Sequence, residues 1–230
     1  MRGKLIVIEG SDGSGKTTQL ELLKKYFKDN KLPFKSMKFP QYANTFFGKT
    51  IASFLRGEIG DLKNINPYLI SMVYAMDRAA ARDKLYSWMN SGKSVLLDRY
   101  VTSNMAHQCG RLPKKEHKKY LRWLEQLEYK VNNVPREDVV IYLYVPYLVS
   151  QKLLMNENKG DKNYAKGRKK DIVEENKEYL KNAEKTYLML AKKYKHWVKI
   201  DCVDEKGILR SREEIHSEIV QILNKKSYIS

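Results

Sequence analysis

Leu5-Ile-Val-Ile-Glu9-Gly10-Ser11-Asp12-Gly13-Ser14-Gly15-Lys16-Thr17-Thr18-Gln19 is the stretch whose reading decides the fold. Leu5–Ile8 is a short apolar run that reads as a buried parallel strand, and Thr17 onward reads as the start of a helix. Between them Gly10, four intervening residues, Gly15, Lys16 and Thr17 fit the phosphate-binding-loop (P-loop) pattern, and the strand–loop–helix context gives that match its meaning. The glycines let the backbone turn so that successive amides point inward at a phosphate chain, and the helix N-terminus adds its dipole. Gly10 to Thr18, with Ser11, Asp12, Gly13 and Ser14 between the flanking glycines, is therefore the expected ATP-binding segment. Lys16 is placed to bind the β- and γ-phosphates, and the Thr17 hydroxyl to ligate Mg²⁺. This loop implies a phosphoryl donor; the acceptor has to be recognised elsewhere.

Outward from the loop, apolar runs alternate with helical patterns, which predicts an α/β fold with a five-stranded parallel sheet and helices on both faces, of P-loop NTPase type. The strand candidates are Leu5–Ile8, Phe34–Lys38, Ser94–Leu97, Val139–Val145 and Trp197–Ile200. The expected helices include Lys16–Lys28, a short one through Gly48–Leu55, and a long one from Asn66-Pro67 to about Asn90. Further on come Pro113–Lys130, Leu148–Asn156, a long amphipathic helix from Asp171, and a terminal helix opened by the Ser211–Glu214 capping box. In an open parallel sheet the carboxyl ends of the strands line the ligand crevice, so Asp98 and Arg99, at the end of the third strand, should emerge beside the loop.

The chain has 230 residues, which predicts a single domain over residues 1–230, and its 42% hydrophobic content suits a globular core. No apolar run approaches the roughly 20 residues of a membrane span. Glu9 cuts the first apolar run too short for a signal peptide. Cys109 and Cys202 form no metal or redox spacing, so a reduced, cytoplasmic protein is expected. The net charge of +17 raises a nucleic-acid reading, but the lysines are dispersed and no nucleic-acid-binding motif accompanies them. Lys159–Lys170 (KGDKNYAKGRKK) concentrates basic residues; it reads either as a mobile lid, spanning 158–170, that closes over nucleotide phosphates, or as a solvated charge run.

Together these pieces resemble the thymidylate kinases within the nucleoside-monophosphate kinase group, over nearly the whole chain. The resemblance rests on Glu9 and Asp12 around the P-loop, Phe39-Pro40-x-Tyr42, Asp77-Arg78, and the run Asp98-Arg99-Tyr100-Val-Thr-Ser103-Asn104-Met-Ala106. Pro135-x-x-Asp138 and Asp171-Ile-x-Glu-x-Asn through Tyr187 add to it. It implies transfer of phosphate from ATP to dTMP giving ADP and dTDP with Mg²⁺, a step of dTTP biosynthesis, in a homodimer packed through helices. Arg78 and Arg99 would grip the acceptor phosphate. Tyr74 and Phe39 would cover the base, Asn104 would read the thymine edge, and Asp12 would lie near the sugar 3′-hydroxyl. Tyr42, Ser103, His107 and Gln108 would complete the dTMP site, and Asp98 would sit near Mg²⁺. In one branch of the family the arginine that stabilises transfer lies in the P-loop, a position held here by Gly13. The resemblance therefore points to Arg168 in the lid, with Lys166 or Lys169 sharing the role. His107 stands where the family pattern has Tyr or Phe, which bears on rejection of a 2′-hydroxyl. A kinase of another pyrimidine monophosphate or of a deoxynucleoside is the neighbouring alternative.

Overall fold

The computed structural model describes residues 2–156 and 172–229. Strands β1 (Leu5–Gly10), β2 (Phe34–Lys38), β3 (Ser94–Asp98), β4 (Val139–Tyr144) and β5 (Trp197–Asp201) form one parallel sheet in the order β2-β3-β1-β4-β5. The three inner strands read as near-continuous apolar runs because both sheet faces are covered. The outer strands β2 and β5 are less buried and carry exposed Lys35, Lys38 and Lys199, charges that keep sheet edges from pairing with other chains.

The period-two alternation of β1 divides the core. Leu5 and Val7 enter one apolar cluster with Leu85, Met105, Tyr120 and Tyr187; Ile6 and Ile8 enter the other with Leu23, Phe27, Ile215 and Ile219. The second cluster is closed by α1 (Lys16–Asp29) and α9 (Arg212–Lys225), the latter opened by the predicted capping box. The first cluster is closed by α4 (Arg82–Asn90), α5 (Val101–Cys109), α6 (Lys114–Glu125) and α8 (Lys177–Lys193), with Tyr68 of α3 (Pro67–Ala79) against it, and α2 (Phe46–Leu55) packs on α3. Helix α7 (Tyr147–Asn156) follows β4. A third apolar cluster joins Ile51, Phe54 and Leu55 of α2 to Ile70 of α3 and Tyr179 of α8.

Three helical expectations are corrected. The long helix from Asn66 to Asn90 is two, broken at Ala80–Ala81; Ala81 is buried, so packing bends a segment whose composition favours continuity. The helix over Pro113–Lys130 passes after Glu125 into a π-helical turn, Gln126–Val131. The helix expected from Asp171 begins at Lys177, where the Asn176 side chain caps the Tyr179 amide.

The strand order reverses direction beside β1, between β1 and β3, and a ligand crevice belongs at such a point. Ile8 is register partner of Asp98 there, and Asp98 is in turn partner of Lys38.

Candidate active site

Beyond the carboxyl ends of β1, β2 and β3 lies a cleft of about 330 Å³. Its donor side is the P-loop. Gly10 and Gly15 have φ of 153° and 83°. A Cβ on Gly10 would lie 2.4 Å from Ser14 Oγ and 2.7 Å from the Leu143 carbonyl, whereas one on Gly15 meets nothing within 4 Å among the described residues. Gly10 is therefore required by close packing beneath the loop, and Gly15 by its left-handed backbone where the loop opens into the cleft. Among the described residues no side chain caps the N-terminus of α1, so its first amides remain for an anion. Asp12, Gly13, Gly15, Lys16, Thr17 and Thr18 line the cleft; Gly10, Ser11 and Ser14 lie behind them.

Lys16 is buried, donates to the Ser11 carbonyl at 2.7 Å and lies 3.6 Å from Asp12. Burial, assisted by the nearby Arg99 guanidinium, brings its pKa down to about 8 against the pull of Asp12, Asp98 and Glu9. The ammonium is thus held short of the full negative charge that a phosphate chain would supply.

Arg99 sits directly after β3 with φ 65°, a conformation that turns the chain out of the sheet and into α5. Its guanidinium donates to Asp12 at 2.6 Å, and to Ser103 Oγ and His107 Nε2 at 3.3 Å each. Burial opposes its charge, yet Asp12, with Tyr187, Glu9 and Asp98 also contributing, holds its pKa well above the ordinary value. Beneath it Glu9, fully buried, accepts from the Tyr100 amide, Thr102, Ser103 and Tyr187 at 2.7–3.2 Å. Glu9 is thereby a bracket joining β1, α5 and α8 rather than a group facing the cleft.

The acceptor side is assembled from β2, α3, α5 and α8. Asp77 accepts from the Gln41 amide at 2.9 Å and from Thr45, fixing the loop that carries Phe39 and Tyr42 against the cleft. One turn of α3 earlier, Tyr74 lines the same wall. Asn104 donates to the Ser71 carbonyl at 3.0 Å while its Oδ1 is buried with no partner among the described residues. Gln108 accepts from Arg111 at 2.8 Å; Arg111 also donates to the Leu62 and Ile65 carbonyls, tying the loop before α3 to α5. His107 stacks on Tyr179 at 5.6 Å and meets Tyr187 edge-on. Burial first, and Arg99 second, depress its pKa to about 3. The neutral ring accepts from Arg99 at Nε2, which assigns the proton to Nδ1.

Arg78 lines the cleft but is held from behind. Its guanidinium makes a buried ion pair with Glu128 of the π-helical turn. Glu128 is 0% exposed and escapes a sequence reading, because a lone acid in a charged amphipathic helix looks solvated. Lys38 and Tyr179 are further cleft residues missed by that reading. Lys38, at the end of a predicted strand and immediately before Phe39-Pro40, was open to detection. Arg168 and the 158–170 segment lie outside the described residues.

All the acceptor-side residues expected from the sequence meet the donor loop in one cleft. The thymidylate kinase family model matches residues 8–219. The chain belongs to the thymidylate kinase family. A thymidylate kinase of Mycobacterium tuberculosis is 31% identical over 187 residues, covering 81% of this chain and 85% of that protein. The Plasmodium falciparum thymidylate kinase is 30% identical over 230 residues, covering 97% of this chain and 91% of its own. Among solved structures, a thymidylate kinase from Candida albicans superposes with a TM-score of 0.73 over 99% of this chain and 93% of that one, at 19% identity. That last likeness speaks to the fold alone. Among the described residues no helix is long and apolar enough to cross a membrane.

Proposed function

We propose that this family member transfers the γ-phosphoryl group of ATP to dTMP, giving ADP and dTDP. The observation that carries the reading is the meeting of Lys16 with Arg99, Arg78 and Asn104 around one cleft. Phosphoryl transfer between two phosphates needs positioning and charge neutralisation more than a base. Lys16 and the α1 amides hold the donor phosphates. Arg99, fixed by Asp12, Ser103 and His107, and Arg78, braced by Glu128, present planar guanidinium groups to the acceptor phosphate, which suits bidentate binding. The partnerless Asn104 Oδ1 accepts from a base edge that carries an N–H, as thymine does at N3. Phe39, Tyr42 and Tyr74 enclose the flat base, and His107 underlies the sugar.

Magnesium fits this site. Thr17 and Asp98 both line the cleft, and Asp98 Oδ1 is a buried carboxylate oxygen with no hydrogen-bond partner among the described residues. Hard oxygen donors, few in number and completed by phosphates and water, are what Mg²⁺ takes. Bound there, it would neutralise charge on the phosphates. Arg168 supplies the remaining positive charge at transfer, with Lys166 or Lys169 assisting; Arg168→Ala should lower kcat on the order of a thousandfold. Residues 1–230 act as one catalytic domain. The exposed Leu69, Met72 and Met76 along α3 support a homodimer packed through helices. The buried free thiols Cys109 and Cys202 accord with a reducing, cytoplasmic setting.

A coupled ADP-release assay with ATP and Mg²⁺ against dTMP, dUMP, UMP, CMP, AMP and thymidine tests this reading. Turnover dominated by dTMP is expected. Phosphorylation of thymidine but not of dTMP would overturn it, and comparable turnover of UMP would broaden the acceptor to pyrimidine monophosphates.

A further inference from the structure

Lys38 and Asp98 are register partners at the carboxyl ends of adjacent parallel strands, so their side chains leave the sheet on the same side. Lys38 Nζ lies 3.2 Å from Asp98 Oδ2; the aspartate side chain is 2% exposed and the lysine side chain 59%. The carboxylate is a fixed anion, and the ammonium that neutralises it rides on a long, solvated stem. The guanidinium groups of the same cleft are held more firmly: Arg78 by Glu128 at 3% exposure, Arg99 by Asp12 at 15%. Among the described cleft cations Lys38 is thus the most exposed and has most freedom to move. Its present partner is also the carboxylate that magnesium would use.

A metal ion and an ammonium beside one carboxylate compete for the same charge. We propose that Lys38 is an acceptor-phosphate ligand held in reserve: it neutralises Asp98 until Mg·nucleotide takes over that carboxylate, and the released ammonium then binds the phosphate of the incoming monophosphate. This rests on the reading of the cleft given above. Lys38 thereby couples the two substrates, and each must strengthen the other's binding by the same factor.

Calorimetric titration of dTMP into the full-length protein, with and without saturating Mg·ADP, tests this. The wild type should bind dTMP about tenfold more tightly with Mg·ADP present. Lys38→Met should abolish that enhancement, and Lys38→Arg should retain it. Asp98→Asn, which frees Lys38 permanently, should bind dTMP without Mg·ADP as tightly as the wild type does with it. Thermal melts should find Lys38→Met folded with a midpoint below the wild type's, because the buried Asp98 carboxylate loses its counter-charge, and Lys38→Arg should restore it. If Lys38→Met keeps both the wild-type affinity and the enhancement, Lys38 merely neutralises Asp98 and the proposal fails. A wild type that binds Mg·ADP but takes up no dTMP would overturn the acceptor reading itself, and the role of Lys38 with it.

Discussion

Lys16 illustrates how one residue records what the cleft is built to receive. Its pKa is about 8, against the usual 10.5. Below pH 8 the ammonium persists in both folded and unfolded chains, and the cost of burying it is fully present. Between pH 8 and 10.5 the unfolded chain binds more protons, so this group makes stability rise with pH; above 10.5 the cost is gone. Phosphates that restore the charge should therefore draw in a proton. Calorimetry of ATP binding at pH 8 in buffers of different ionisation enthalpy should show uptake of about half a proton, falling to none in Lys16→Met. Equal heats in all buffers for the wild type would mean that Lys16 is already fully charged. The Arg78–Glu128 pair gives a second expectation at this scale. Removing one partner of a buried ion pair costs about 3–5 kcal/mol, because the other charge is left without compensation. Glu128→Gln should lose stability of that order in urea unfolding and bind dTMP less tightly, since Arg78 then lacks its brace.

At the scale of elements, the Ser211 cap of α9 can be separated from chemistry. Its side chain accepts from the Glu214 amide at 3.2 Å, away from the cleft. Ser211→Ala should cost about 1 kcal/mol of stability, seen as a lower denaturation midpoint, with kcat and KM for dTMP unchanged. This cap was legible in the sequence, as were all the strands, because a capping box and a buried apolar run are local signals. The break at Ala80–Ala81 was not: two residues of high helix propensity carry no stop signal, and only packing against the core turns the chain there. The π-helical turn was equally hidden, since its consequence, a buried Glu128 facing Arg78, is made by a contact 50 residues apart. The site divides on the same line. Arg78 and Asp98 sit in contiguous motifs, whereas Glu128 and Lys38, which brace the one and neutralise the other, are supplied by other elements and obey no spacing.

At the scale of the whole molecule, α3 presents cleft residues on one side and Leu69, Met72 and Met76 on the other, exposed at 64%, 45% and 39%. The spacing of those three places them on one stripe. A second copy covering that stripe would bury apolar surface on the helix that carries Tyr74 and Arg78. Analytical ultracentrifugation should therefore find a two-chain mass for the wild type and a one-chain mass for Met72→Asp. The wild type sedimenting as one chain at all concentrations would reject the assembly. The net charge of +17 acts at this scale too. Attraction of anionic nucleotides should make kcat/KM for dTMP fall as salt is raised from low to physiological ionic strength.

The ion pairs of the cleft have a joint consequence. Lys16 and Arg99 share Asp12, Arg78 faces Glu128 and Lys38 faces Asp98. The cleft is in effect an ion exchanger already loaded with its own counter-ions. A ligand draws Lys38 off Asp98 only if it brings comparable negative charge, while the Arg78–Glu128 and Arg99–Asp12 pairs stay in place as braces. A neutral mimic of matching shape leaves every internal pair in place and gains no more than its stacking and hydrogen bonds. Thymidine should accordingly compete poorly with dTMP, and an inhibitor for this cleft needs a permanent dianion more than it needs a better ring.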